Sequence, residues 1–168
     1  MMTLVVSFSR WLHSTNLSWA AAGGYPWVWP VCETLHFMGM SMLIGVVGLL
    51  DLRVLGFMKG LPLAPLNRLL PWGIAGFVVN LITGFIFFAG DPFQYIHNNV
   101  FWMKLLFIVV AGVNAGTFYL SGLSRRVSSI GGGGDAPTGA KFIAAVSLFL
   151  WIGVMYWGRM LPFLGGAF

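Results

Sequence analysis

Acidic residues are scarce in this chain. Asp and Glu together number 4 against 9 Lys and Arg, and charged residues make up 8% of the sequence. An average soluble domain carries about 25% charged residues, so a water-facing surface of ordinary composition is excluded. Cysteine occurs once, as Cys32, which rules out an internal disulfide and a CxxC redox pair. Of the 3 histidines, only His36 falls inside a long apolar run. The N-terminus has no basic leader, and Arg10 interrupts its short apolar stretch, so a cleaved signal peptide is not expected. No basic cluster is interleaved with aromatics, so the net charge of +5 does not point to nucleic acid.

What is abundant is apolar surface. Hydrophobic residues make up 58% of the 168, far more than a chain of this size hides in one small soluble core. Four runs, about 30–57, 68–90, 99–122 and 141–161, are long enough to cross a bilayer as helices. A hydrocarbon core of about 30 Å needs roughly 20 residues at about 1.5 Å each. The runs are continuous rather than alternating, which favours helices over barrel strands. The expected fold is all-α, an integral membrane four-helix bundle forming a single domain over 1–168 and surrounded by the lipid bilayer.

The cations then read as topology signals. Arg53, Lys59, Arg68, Arg125, Arg126 and Lys141 flank the first and third connections, while Arg10, Lys104 and Arg159 lie towards the other side. Lys and Arg are retained in the cytoplasm, so both termini are expected outside, in a bacterial inner (cytoplasmic) membrane. Leu4, Phe8, Trp11 and Leu12 recur at helical spacing opposite Ser7, Arg10 and His13, which predicts a short interfacial helix over about 3–14. Tyr25, Trp27 and Trp29 mark a headgroup boundary before the first span. Segment 124–140, with four consecutive glycines from Gly131 to Gly134, reads as a flexible loop. Its Gly134 to Lys141 stretch mimics the outer spacing of a phosphate loop. However, Ala140 separates Gly139 from Lys141, Phe142 replaces the hydroxyl residue, and no strand precedes it.

Polar residues inside the spans carry the chemistry, because each is costly in lipid. Cys32, His36 and Met40 follow i, i+4, i+8 on one helix face, with Glu33 close by. Counted from Pro30, His36 lies roughly 9 Å deep, and Lys104 lies roughly 7 Å deep from the same side counted from Asn99. Ser147, Trp151, Met155 and Arg159 form a ladder on the fourth span. Chain direction thus places Glu33, His36, Lys104, Met155 and Arg159 at similar depth. Lys104 and Arg159 also suit simple snorkelling anchors. The stripe Gly73, Gly76, Asn80 and Gly84 suits a close helix contact with Asn80 bonding across it, and Asn114 suits the same role on the third span. Asp51 and Arg53 suit an ion pair or a lipid anchor.

Two cofactors fit these residues. A b-type haem would take His36 as axial ligand, with Lys104 and Arg159 on its propionates and Met155 or His97 as a second ligand. Copper(I) would instead use the soft set Cys32, His36 and Met40, with Met155 opposite.

Leu35-His36, the glycine-containing run to Leu50-Asp-Leu-Arg53, and Phe101-Trp-Met-Lys104-Leu-Leu together resemble the HemJ and CopD-like membrane proteins. An uncharacterised bacterial family of four-helix membrane proteins with the same Leu-His and Asp-Leu-Arg pattern looks closer still. The resemblance covers about the first three spans. It implies a haem-associated protein with a functional histidine and lysine, positions matched here by His36 and Lys104. Where a HemJ-type protein has a histidine late in the third span, this chain has Asn114-Ala-Gly-Thr117. The expected function is a b-haem membrane redox protein or electron-transfer subunit, with a redox protein or quinone as partner. The alternatives are a copper-handling protein, a HemJ-like oxidase, or a cofactor-free accessory subunit of a larger complex or homo-oligomer.

Overall fold

A computed structural model describes residues 2–164, with side chains from residue 4 onward, and no strand occurs among them. Helices α1 (Met2–His13) and α2 (Asn16–Trp19) precede a π-helical turn at Ala20–Gly24. The long helix α3 (Val28–Leu55) is followed by α4 (Leu63–Asn67) and α5 (Leu70–Gly90). Helix α6 (Pro92–Ile96) leads into α7 (Asn99–Leu120), and α8 (Leu123–Ser128) leads into α9 (Thr138–Leu164).

The ends of these helices follow from local chemistry. Gly56 closes α3 in the left-handed region (φ 105°), where its N–H and that of Phe57 return to Arg53 and Leu52 carbonyls. The Asp91 carboxylate accepts from Gln94 N–H and starts α6, and Asn98 Oδ1 accepts from Val100 N–H to start α7. Asn98 is buried, and its Nδ2 also donates to Leu161 O on α9, which fixes the start of α7 against the end of α9.

Four helices are long and apolar enough to cross a membrane: Val28–Leu55, Leu63–Gly90, Asn99–Leu120 and Thr138–Leu164. No more than 28% of any of these apolar windows is buried inside the molecule, so most of that surface faces outward. Water does not tolerate such a continuous apolar exterior, and lipid does. The protein is a multi-pass membrane protein. One end carries the two ends of the described chain and the Tyr25, Trp27 and Trp29 side chains; it is called the aromatic end. The opposite, basic end carries Arg53, Lys59, Arg68, Arg125, Arg126 and Lys141.

Helix α3 packs against both α5 and α9, and α7 packs against α9, while α5 and α7 are not closed on each other by backbone packing. Small residues set the α3–α5 crossing. A Cβ on Gly76 would lie 2.6 Å from Gly39 O, and one on Gly39 would lie 2.9 Å from Gly76 O. On the other side Gly153 receives the Phe107 ring and Gly158 receives the Lys104 stem, seating α7 on α9. At the basic end, Val54, Leu63, Val127, Ala136, Ala140 and Ala144 form a buried cluster.

The basic end departs from the sequence expectation. Segment 124–140 is not an open linker: its first residues belong to α8, and three of its glycines are bonded to α3 or to the α3–α4 connection. Gly133 N–H donates to Lys59 O at 2.8 Å, and Asp135 pairs with both Lys59 (3.5 Å) and Lys141 (2.7 Å). Arg53 is fully buried; its Nε donates to Leu61 O at 2.6 Å and its Nη2 reaches Gly131 O and Gly134 O. Asp51 bonds Ser147 on α9 instead, so of the two expected roles the Asp51–Arg53 ion pair does not form, and buried Arg53 is not a lipid anchor. Loop carbonyls that cannot all reach water take the guanidinium donors.

Helix α1 forms over the expected residues, with Leu4, Phe8 and Trp11 exposed on its apolar face and Leu12, at the edge of that face, buried together with Ser9. Helix α1 lies against α6, where His13 and Phe93 rings meet at 5.9 Å.

Candidate functional site

His36 sits on the α3 face turned to α5, two turns from the aromatic end. Its Nδ1 lies 2.7 Å from Thr83 Oγ1, and Thr83 donates its own hydroxyl hydrogen to Val79 O at 2.7 Å. With that hydrogen engaged, the threonine oxygen accepts from His36 Nδ1–H. In that arrangement the neutral imidazole is the Nδ1–H tautomer, the one that leaves the Nε2 lone pair for a ligand. The Phe87 ring meets the imidazole edge-on at 5.5 Å and in turn contacts Trp29 at 4.9 Å. Gly84 leaves space beside the ring: a Cβ there would stand 3.7 Å from His36 Cε1.

Lys104 on α7 is the cation of this site. Its stem crosses Gly158 of α9, and its ammonium is near enough to act electrostatically on His36. The only ion pairs among the described residues lie at the basic end, so Lys104 has no carboxylate to neutralise it. An unanswered ammonium inside a span calls for an anionic group or a water-filled path to it.

The other expected site residues differ in exposure. Met155 is partly buried on α9. Arg159 is exposed, and its guanidinium lies 5.2 Å over the Phe163 ring. Glu33 is exposed. Cys32 is buried and Met40 partly buried on the same helix as His36. Among the described residues no three His, Cys, Asp or Glu side chains gather into a metal site. His97 is exposed, with Nδ1 donating to Phe93 O at 2.7 Å. Asn80 donates to Gly76 O of its own helix, not across to α3 as the stripe suggested, whereas Asn114 does reach across, to Ile143 O on α9.

Thr83 and Phe87 are the site residues that the sequence did not single out. The signal was present: Gly76, Asn80, Thr83 and Phe87 continue one stripe at three- and four-residue steps. A threonine whose hydroxyl bonds back to the helix carbonyl four residues earlier is lipid-compatible, and that habit makes its oxygen an acceptor.

The chain matches no family model, no curated protein and no solved structure.

Proposed function

We propose that this protein is a membrane redox protein that binds a b-type haem through His36. The observation that carries it is the 2.7 Å His36–Thr83 contact, which holds the ring by Nδ1 and supports a tautomer with Nε2 available. Histidine ligands are commonly held this way by a partner on the other ring nitrogen. The residues present suit such a group: a free imidazole nitrogen, aromatic and glycine neighbours in Phe87 and Gly84, and an unpaired ammonium on Lys104 for a propionate. Arg159, turned over Phe163, is the weaker candidate for that second task, and Met155 of α9, partly buried, would be a further candidate to hold the iron. Bound haem would supply reversible one-electron transfer. The chain's own part is to orient the imidazole, answer the anionic edge and keep bulk water away.

A second reading, a HemJ-like membrane oxidase, is favoured by one observation. The two residues matched by that resemblance, His36 and Lys104, come from different helices and lie within electrostatic reach of each other. Copper(I) held by Cys32, His36 and Met40 remains chemically apt but has no comparable support.

For placement we propose a bacterial inner membrane with the aromatic end outside. A reporter inserted at Gly132 is expected to act in the cytoplasm, and one fused after Phe168 outside it.

Absorption spectra of the purified protein, oxidised and reduced, test the cofactor. A Soret band and a reduced α-band should appear and be lost in His36→Ala, while insertion persists. A colourless protein from haem-replete cells would overturn the proposal, and stoichiometric copper lost in Cys32→Ser would redirect it.

A further inference from the structure

Three cations at the basic end have no carboxylate to answer them. Arg68, Arg125 and Arg126 are exposed, while the ion pairs among the described residues use only Lys59, Lys141 and Asp135. Arg125 borders a recess of about 570 Å³ between the start of α5 and the end of α7, where these helices are not closed on each other. The recess has two kinds of wall. Leu70, Phe118 and Val127 make an apolar side, Leu70 and Phe118 from membrane-spanning helices. Asn67, Ser124 and Arg125 make a polar rim at the level of the connections.

The rim is organised. Asn67 Nδ2 donates to Ser128 Oγ at 2.8 Å, tying α4 to α8, and Ser128 donates onward to Ser124 O at 2.7 Å. These bonds fix the frame of the rim but leave the Arg125 guanidinium and the Ser124 hydroxyl able to donate. Donors of that kind beside an apolar slot at a membrane boundary match one chemistry: a phosphodiester attached to an acyl chain.

We propose that this recess binds an anionic phospholipid, with its phosphate against Arg125 and Ser124 and an acyl chain lying between α5 and α7. Charge complementarity selects an anionic lipid over a zwitterionic one, since Arg68 and Arg126 add positive charge around the same rim. The open α5–α7 edge explains why a lipid fits better than a free anion, which would leave the Leu70 and Phe118 wall uncovered. The site is at the opposite end of the molecule from His36 and does not depend on the haem proposal.

Native mass spectrometry of the full chain, released from nanodiscs of phosphatidylglycerol mixed with phosphatidylcholine, tests this. One phosphatidylglycerol should remain bound, with retention roughly tenfold weaker in Arg125→Gln and unchanged in Arg10→Gln at the aromatic end. Phosphatidylglycerol should also raise the melting temperature of the wild type and not that of Arg125→Gln. Equal retention of both lipids, or an Arg125→Gln variant that behaves as wild type, would overturn the proposal. Displacement by millimolar inorganic phosphate would reassign the recess to a free anion and overturn the lipid assignment.

Discussion

Thr83 Oγ1 stands 2.7 Å from His36 Nδ1 and at the same distance from Val79 O, so one hydroxyl joins the imidazole to the α5 backbone. If His36 is an axial ligand, Thr83 is its positioning residue. Thr83→Val keeps the shape and removes the acceptor, which frees the ring and lets the hydrogen move to Nε2, the nitrogen that must bind. Haem retention is expected to fall by about 10- to 100-fold, with a shifted reduced spectrum. Thr83→Ser keeps the acceptor and should stay near wild type. Transfer of haem to an apo-globin, followed by absorbance, gives both rates. Equal rates in Thr83→Val and wild type would remove Thr83 from the site.

A second prediction concerns how α3 and α5 come close enough for that bond. The Gly39–Gly76 contact brings backbone to backbone, and a methyl on Gly76 would meet both Gly39 O (2.6 Å) and Leu43 N (3.0 Å). Neither is a flexible side-chain end that can turn aside. Gly76→Ala should therefore push the helices apart at a cost of about 1–3 kcal/mol. Gly45→Ala on α3, with nothing within 4 Å of its Cβ position, should be neutral or slightly stabilising. Unfolding in mixed micelles compares the two, and equal stability would mean the crossing is less tight than the backbone implies.

These contacts show which parts of the structure were legible in the sequence. The four spans were readable because hydropathy depends on composition over some twenty residues, and lipid makes that requirement strict. The Gly73, Gly76 and Asn80 stripe announced a close helix contact, and Lys104 and His36 were singled out by their cost in an apolar setting. The partners of these groups were not readable. That Thr83 bonds His36 depends on how α5 is rotated against α3, and that Arg159 turns to Phe163 depends on a side-chain torsion. Depth along a helix follows from counting, but direction around it follows from packing. The glycine run failed for a related reason. Gly131 to Gly134 suggests freedom when read alone, yet a buried arginine 78 residues away in sequence collects its carbonyls.

Arg53 gives the third prediction. Its guanidinium reaches Leu61 O, Gly131 O and Gly134 O, so it joins the two basic-end connections from a fully buried position. Arg53→Ala leaves these carbonyls without their charged donor, and Arg53→Lys offers one ammonium where a planar fork served several oxygens. Each lost bond to a charged donor is worth about 1.5–3 kcal/mol, so Arg53→Ala should destabilise the basic end by several kcal/mol and Arg53→Lys by less. Limited proteolysis should cut the variants around 131–134 well before wild type. Wild-type resistance in Arg53→Ala would show that Lys59 O to Gly133 N and the Asp135 pairs suffice to hold the loop.

The fourth prediction concerns pH at the opposite end, where Tyr95 of α6 lies against the stacked pair of Phe88 (6.1 Å) and Phe101 (5.3 Å). Burial, with the negative charge of Asp91 adding to it, pushes the Tyr95 phenol up to about 12. The neutral phenol is thus favoured in the folded protein, while an unfolded chain ionises it from about pH 10. The sign follows: the stabilisation is complete below about pH 10 and is lost as pH rises towards 12, with a ceiling of about 3 kcal/mol. Melting temperatures in detergent should hold between pH 7 and 9 and fall steeply from pH 10 to 11.5. Tyr95→Phe keeps the ring contacts and removes the ionisable group, so its curve should be flatter over the same range. Ultraviolet titration supplies the independent check, because one tyrosine present in wild type and missing in the variant should ionise late. Parallel melting curves for the two proteins would mean that α6 opens before the phenol titrates, and that the α5–α6–α7 corner does not hold Tyr95 away from water.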